Sequence, residues 1–338
     1  MSKFFLVVKV IIKKMEFITV PKNYAPVNEG LVYNIDLEVL RDNVEVSIVD
    51  AAKDENVAVL RFAQTSFISV DIAPYVRRMF EPYPAEGPFG DTFGVDNDRG
   101  RVVEVAVEVD GERSPLRRYT MLLTDGLPRL LTLMPGRRQL AENEADEVAF
   151  YAPSGGSIII ETETPSKLER MEVELPASED IGVLRIAAND LPDEYLSVDV
   201  TFEAGGRTDS ISYDRAVRPQ GAVRLAWTAS SGAVEHYTFP SHSSTLTITR
   251  DAFCSRAGHR TTHRRSEAVQ LLVSDYEPQS VIEALEEILS AARVWRIDNG
   301  IVTEVEVVTA STLRRFDGPL NTLSVEIRNI SREEDRLC

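Results

Sequence analysis

Residues 102–109 read Val-Val-Glu-Val-Ala-Val-Glu-Val and decide the fold class of this chain. From Val103 onward every second residue is valine, while Glu104 and Glu108 occupy positions on the opposite face. Such alternation is typical of an antiparallel strand with one face in the core and one in water, as in a sandwich. The same period of two recurs at residues 44–48, 245–249 and 323–328. We therefore predict a mostly β chain.

Turn sequences separate these strands. They are Asp110-Gly111, Asp125-Gly126, Gly205-Gly206 and Asn299-Gly300. Asn-Gly favours a two-residue hairpin turn. It predicts a hairpin that joins residues 294–297 to the run from 301 to 308.

One helix is predicted after residue 280. Ser280 and Glu283 have the spacing of a capping box, in which each side chain bonds the backbone at the helix start. An apolar stripe at helical spacing follows, formed by Val281, Ile282, Leu285, Ile288, Leu289 and Ala292. A second, short helical turn is predicted at residues 74–80.

Composition shifts predict the domain organisation. The chain turns acidic after residues 134–138, with eleven acids between 141 and 180, and basic at 250–265, with five arginines against Asp251. We therefore predict β-sandwich-like domains at 20–135 and 136–249, a small α+β domain at 250–330 and a charged tail at 331–338. Residues 1–19 are interpreted as a leader, either a misannotated start before Met15 or a short leading strand, and no export is expected.

Bulk charge and motifs exclude several classes of function. A net charge of −17 argues against a phosphate-binding surface and against docking on anionic membranes. The two cysteines, Cys254 and Cys338, form no disulfide framework. The sequence holds no nucleophile elbow, Walker loop, dinucleotide-binding glycine motif or zinc-protease helix. We therefore expect a protein that is not an enzyme, has no cofactor, binds no nucleic acid directly and does not span a membrane.

All four histidines lie between residues 236 and 263, near Cys254. His259, His263 and Cys254 are the weak candidates for a metal site, because clustered imidazole and thiolate ligands suit zinc. The segment AGHRTTHRR has no apolar stripe, however, and we interpret it as a polar loop. A hydrolase or metalloenzyme would depend on this cluster alone.

Residues 81–100 form a long stretch rich in proline, glycine and acids. Asp96, Asn97 and Asp98 offer oxygen ligands that suit calcium, but their spacing does not match an EF-hand. We interpret the stretch as a solvated or interface loop, since long loops in compact domains usually make contacts.

The basic segment 250–265 is unusual on an acidic chain. Arg256, Arg260, Arg264 and Arg265 are its interface candidates, and they would dock on an acidic surface of a neighbouring copy, such as residues 141–180. Opposite patches on one subunit suit a head-to-tail ring.

A family resemblance lies in residues 222–227 (Ala-Val-Arg-Leu-Ala-Trp) and 232–240 (Gly-Ala-Val-Glu-His-Tyr-Thr-Phe-Pro). A strand ending in Leu-Ala-Trp, a small turn and a Glu-His-Tyr-Thr-Phe strand resembles virion structural proteins of Bacteroides-type phages and prophages. Residues 274–278, the helix and hairpin that follow, and residues 70–74 extend the likeness. It implies a non-enzymatic, oligomeric component of the tail or its attachment region. It also implies assembly in the host bacterial cytoplasm, with copies of itself and other virion proteins as partners and contact with the host surface.

The aromatic residues of this region have a simpler interpretation. Trp227, Tyr237 and Phe239 lie on two strands of one hairpin, where large aromatics pack in a sheet core. If Trp227, Tyr237 and Trp295 were instead exposed and coplanar, they would favour the alternative function, a carbohydrate- or cell-surface-binding module. Trp227 and Tyr237 are therefore also interface candidates.

Overall fold

The computed structural model describes residues 15–27, 30–84, 95–97, 102–120, 127–178, 181–255, 258–311 and 318–330, with the side chains of 95–97 and 250–265 outside that description. The chain is mostly β, as the alternation predicts. It divides into two compact units, one of residues 1–81 with 100–123 and the other of residues 82–99 with 124–338. The leader interpretation at residues 1–14, the tail at 331–338 and Asp98 lie outside the described residues.

The elements are numbered in chain order. The strands up to residue 120 are β1 (Glu16–Thr19), β2 (Ala25–Pro26), β3 (Val32–Asp50), β4 (Glu55–Asp71), β5 (Val95–Asn97), β6 (Val102–Val109), β7 (Glu112–Arg113) and β8 (Arg117–Thr120). Those up to residue 216 are β9 (Arg129–Leu131), β10 (Arg137–Ala141), β11 (Ala145–Tyr151), β12 (Gly156–Glu163), β13 (Leu168–Leu175), β14 (Ile181–Ala187), β15 (Ser197–Ala204) and β16 (Arg207–Ala216). The remainder are β17 (Val223–Thr228), β18 (Val234–Phe239), β19 (Ser241–Ser255), β20 (Gly258–Val273), β21 (Glu277–Pro278), β22 (Val294–Asp298), β23 (Ile301–Val307), β24 (Leu320–Asn321) and β25 (Ser324–Asn329).

The helices are short. They are α1 (Ala73–Val76) and α2 (Gln279–Glu286), each continued by a 3-10 turn, Arg77–Met79 and Glu287–Leu289, with a further 3-10 turn at Ala188–Asp190. None of the helices among the described residues has the length and apolarity that a membrane crossing requires.

The first unit is a single sheet in the order β1-β3-β6-β8-β2, with β4 added beside β3 and β7 beside β6. The hairpin of β3 and β4 is long, with strands of 19 and 17 residues, and its register shifts between Asp36 and Arg41. The valines of β6 alternate as predicted, with Val105, Val107 and Val109 buried in the core. The helical turn predicted at residues 74–80 is confirmed by α1 and its 3-10 continuation.

The second unit contains a sandwich. A five-stranded sheet, β10-β16-β15-β12-β13, packs on a four-stranded sheet, β5-β14-β11-β9. Phe150 of β11 meets Phe202 of β15 across the layers, with ring centroids 5.7 Å apart. Strands β10 and β16 pair in parallel, and the Tyr195 hydroxyl donates a hydrogen bond to the Leu140 carbonyl beside them.

The second unit also contains a seven-stranded sheet in the order β18-β17-β22-β23-β25-β20-β19, with α2 packed on it. Val281, Ile282 and Leu285 are buried, as the predicted stripe requires. The predicted capping box is wrong, because the N-cap is Pro278 and Ser280 already lies inside the helix. Pro278 is also the end of β21, whose pairing with β24 sets the direction from which the chain enters the helix.

The predicted hairpin at Asn299-Gly300 is confirmed. Asp298 and Ile301 are register partners, and both turn residues have positive φ, 50° and 79°. Positive φ at both central positions defines the type I′ turn that Asn-Gly favours.

The boundary predicted between residues 249 and 250 falls inside β19, whose sheet already begins at β17. The interpretation of residues 254–265 as a loop is also wrong, since β19 and β20 form a ribbon of 15 and 16 residues. The reason is that the basic residues lie on the part of the ribbon that extends beyond its neighbour β25. Strand β25 pairs only with Val269–Val273. The composition therefore changes inside a strand and not between two elements.

Candidate functional site

The basic and metal-ligand candidates lie on the outer half of the β19–β20 ribbon. Cys254 is the register partner of His259, and His263 is the partner of Asp251. Arg260, Arg264 and Arg265 lie on β20. Arg256 lies outside the described residues. Because the side chains of 250–265 are outside the description, these weak metal candidates are not tested.

The ribbon contains a like-charge pair. The register places Arg250 of β19 opposite Arg264 of β20, and Arg265 lies one position further along. Like charges at directly opposite positions destabilise an antiparallel pair. A partner that brings negative charge to this position would relieve the repulsion.

The calcium candidates do not lie on a loop. Asp96 and Asn97 belong to β5, where they are register partners of Val183 and Gly182 in β14. No group of three metal-ligating side chains occurs among the described residues.

The aromatic candidates are not an exposed platform. Trp227 is 0% exposed and Trp295 is 4% exposed. Tyr237 is half-buried, its ring packs edge-on against Phe239 at 5.0 Å, and its hydroxyl donates to Glu277 at 2.8 Å. Trp227 thus presents no surface to a partner, as the core-packing interpretation requires.

A buried ionic cluster that the sequence analysis missed lies where the sandwich meets the seven-stranded sheet. We call it the junction cluster, and its members are Arg138, Glu144, Asp146, Glu147, Arg224, Glu235 and His236. Strands β10 and β11, with the turn between them, supply the first four residues, and β17 and β18 supply the last three. Each side chain is at most 10% exposed.

Arg138 is the centre of one half of this cluster. It donates to Asp146 at 2.8 Å, and its guanidinium lies 3.7 Å from Glu235. Glu235 also accepts from the Thr132 hydroxyl and from the Leu133 backbone N–H, each at 2.7 Å. The contacts join the sandwich to β18, because Arg138 and Glu235 lie on different sheets.

Arg224 is the centre of the other half. It donates to the Thr238 hydroxyl at 2.9 Å and lies 3.5 Å from Glu144. Glu144 also pairs with Arg218 at 3.2 Å and accepts the Ala141 N–H at 2.9 Å. The His236 Nε2 lies 3.6 Å from Glu147 on the neighbouring strand β11. Residues distant in sequence are therefore held together by charge.

The electrostatics follow from this geometry. Burial would raise the pKa of Asp146, but Arg138, with His236 and Arg224, holds it below its ordinary value. Arg224 and Arg218 likewise lower the pKa of Glu144 against the effect of burial. For Glu235, burial dominates over Arg138 and raises the pKa. One guanidinium therefore stabilises the charge of Asp146 better than that of Glu235.

Two pockets flank the junction cluster and share Asp146, Arg224 and His236 as lining residues. One has a volume of about 410 Å³ and reaches Asn299 and Gly300, and the other, of about 340 Å³, reaches Tyr237 and Glu277. Arg138 and Arg224 lie between them and each contact a carboxylate of the other sheet, so the arrangement fastens two sheets. One sequence signal could have found it: Glu235-His236 and Arg224 interrupt otherwise apolar strands.

Free strand edges are the other notable feature. Within the described residues, β4 pairs only with β3, β13 only with β12 and β19 only with β20. Beside β13 lies an open groove of about 560 Å³, lined by Glu172, Glu174 and Glu203 between the paired glycines at 155–156 and 205–206. A free strand edge can pair with another chain.

Comparisons with known proteins show no family. No family model and no curated protein matches the sequence. One solved structure that it resembles is the crystal structure of Dpr2 Ig1-Ig2 in complex with DIP-Theta Ig1-Ig3. That match is 12% identical and covers 60% of this chain and 99% of the other, with a TM-score of 0.18. A superposition of that quality carries no argument about this chain.

Proposed function

We propose that this chain is a non-enzymatic structural protein of a phage virion, a component of the tail or its attachment region that assembles as an oligomer. The virion assignment rests on the sequence resemblance at residues 222–240. Its partners are copies of itself and other virion proteins, in the virion and during assembly in the host cytoplasm.

The observation that carries the structural role is the pair of long ribbons with a free outer strand. Strand β4 runs for 17 residues and β19 for 15, against a typical strand of about five or six residues. Within the described residues neither has a second neighbour. Apolar side chains are exposed on both, among them Phe67 on β4 and Leu246 on β19. Edges of this length are the features that join subunits by strand pairing.

The burial of the aromatics favours this role over the carbohydrate-binding alternative. A sugar-binding platform needs accessible aromatic rings, whereas Trp227 and Trp295 are buried in the seven-stranded sheet. The junction cluster supports the same conclusion, because its two arginines already pair with carboxylates within the chain.

Light scattering followed by electron microscopy tests the proposal, on the purified full chain alone and mixed with the products of neighbouring genes. We expect rings or tubes of defined copy number. A chain that forms no assembly alone or with any of those proteins would overturn the proposal. Glycan binding by that monomer would then favour the alternative function.

A further inference from the structure

We propose that the β19–β20 ribbon of one copy pairs with the free edge of β13 on the next copy, so that copies associate head to tail. This inference rests on the proposed structural function and names the two surfaces that meet. In a single chain these strands belong to different sheets and do not pair with one another.

Strand β13 is an acidic edge. Its sequence is Leu-Glu-Arg-Met-Glu-Val-Glu-Leu, and its residues are exposed except for Val173, which packs on the sandwich core, and the buried Leu175. Glu172 and Glu174 also line a groove that crosses β12 and reaches Glu203 of β15. Leu168 is 64% exposed and Met171 is 40% exposed, so the edge also offers apolar contacts.

The ribbon is a basic edge. Strand β25 pairs with β20 only at Val269–Val273, so residues 258–268 of β20 have β19 as their one strand neighbour among the described residues. Five arginines and one acid lie between 250 and 265. The register also places Arg250 of β19 opposite Arg264 of β20, which concentrates positive charge in this part of the ribbon.

The two edges match in charge and in length. The segments 169–174 and 260–265 each span about 20 Å at roughly 3.4 Å per residue. The first holds three glutamates and one arginine, and the second holds three arginines and no acid. Such complementary charge sets register and suppresses wrong partners. Because the basic and acidic surfaces differ, the contact is heterologous, and it generates a ring if the rotation closes.

Charge reversal tests the contact in the full-length chain. The acidic-edge variant is E172K/E174K, and the ribbon variant is R264E/R265E. Association is measured by sedimentation velocity over a concentration series, with circular dichroism to verify folding. The matched control is D193K/E194K, which makes the same charge change at exposed positions of the loop before β15, outside strand β13.

We expect each variant alone to associate at least tenfold more weakly than the wild type and the control. An equimolar mixture of the two variants should recover association, because the reversed ribbon then meets the reversed edge.

Three results would overturn the contact: a wild-type chain that is monomeric at every concentration, variants that associate normally, or a mixture that fails to recover. Loss of association in the ribbon variant alone would show that the ribbon meets another acidic surface, and would refute the role of β13. The broader structural proposal fails separately, if no assembly forms with the other virion proteins.

Discussion

Replacing Arg138 with methionine tests whether the junction cluster holds the sandwich to the seven-stranded sheet. Methionine keeps much of the side-chain volume and removes the guanidinium that pairs with Asp146 at 2.8 Å and faces Glu235 at 3.7 Å. Arg138 and Asp146 are 5% and 4% exposed at their side chains, so solvent cannot replace the lost charge.

The expected magnitude follows from this burial. Removing one partner of a buried ion pair typically destabilises a protein by about 3–5 kcal/mol. A second route gives a similar figure, since protonating an aspartate of ordinary pKa at pH 7 requires about 4 kcal/mol. Because that second cost falls with pH, the destabilisation should shrink to about 1.5 kcal/mol at about pH 5.

Tryptophan fluorescence during urea unfolding is the assay. The chain has two tryptophans, Trp227 and Trp295, and both lie in the seven-stranded sheet, whereas Arg138 lies in the sandwich. A shift of the fluorescence transition therefore reports coupling between the two sheets.

Arg137→Met is the matched control for this experiment. Its side chain is 79% exposed and its pair with Asp214 lies at the surface, so we expect no measurable change. Adding D146N to R138M should recover part of the loss, because the uncompensated carboxylate is removed with its partner. Equal transitions for the R138M and R137M variants would refute the fastening role of the cluster.

Three further predictions concern single positions. Burial raises the pKa of Glu235, so its contribution to stability is present at acid pH and is lost as the pH rises through the folded-state pKa. The E235Q variant does not have this loss, so its unfolding free energy relative to the wild type should increase above about pH 4.3. A difference that stays constant with pH would contradict the assignment. G300A should destabilise the β22–β23 hairpin by about 1–2 kcal/mol, measured by tryptophan fluorescence. The φ of Gly300 is +79° and an added Cβ would contact no other atom, so the whole cost comes from backbone strain. G182A should destabilise the sandwich by about 1–3 kcal/mol in thermal melts followed by circular dichroism, because the new methyl group overlaps the buried Phe150 ring. Adding F150L to G182A should recover part of the lost stability, and no recovery would count against the overlap.

Local patterns predicted the local structure of this chain well. The alternation at 102–109 gave the strand β6, and Asn299-Gly300 gave a type I′ turn, because both signals depend on neighbours in sequence. The predicted capping box failed, since Ser280 has the right spacing while Pro278 is fixed by its pairing in β21.

The candidate site could not be predicted in the same way. Glu144, Asp146 and Glu147 lie in the stretch predicted to form an acidic surface, yet they are buried. Arg138 and Arg224 reach Asp146 and Glu144 from other strands, and His236 lies beside Glu147. Arg224 contacts Ala145, which lies 79 positions away in the sequence, and a periodic pattern of residues cannot predict a contact over that distance. A change of charge along the chain likewise marked the outer end of a ribbon, not a domain boundary.

The parallel pairing of β10 with β16 has a mechanical consequence. The chain enters the five-stranded sheet at Arg137 and leaves it at Ala216, and the two strands lie side by side with five register pairs between Arg137–Ser212 and Ala141–Ala216. A pull along the chain draws these strands past one another, so the bridging hydrogen bonds share the load and break together. A hairpin pulled from its open end would instead unzip one bond at a time. The first and last strands of the five-stranded sheet therefore act as a shear clamp.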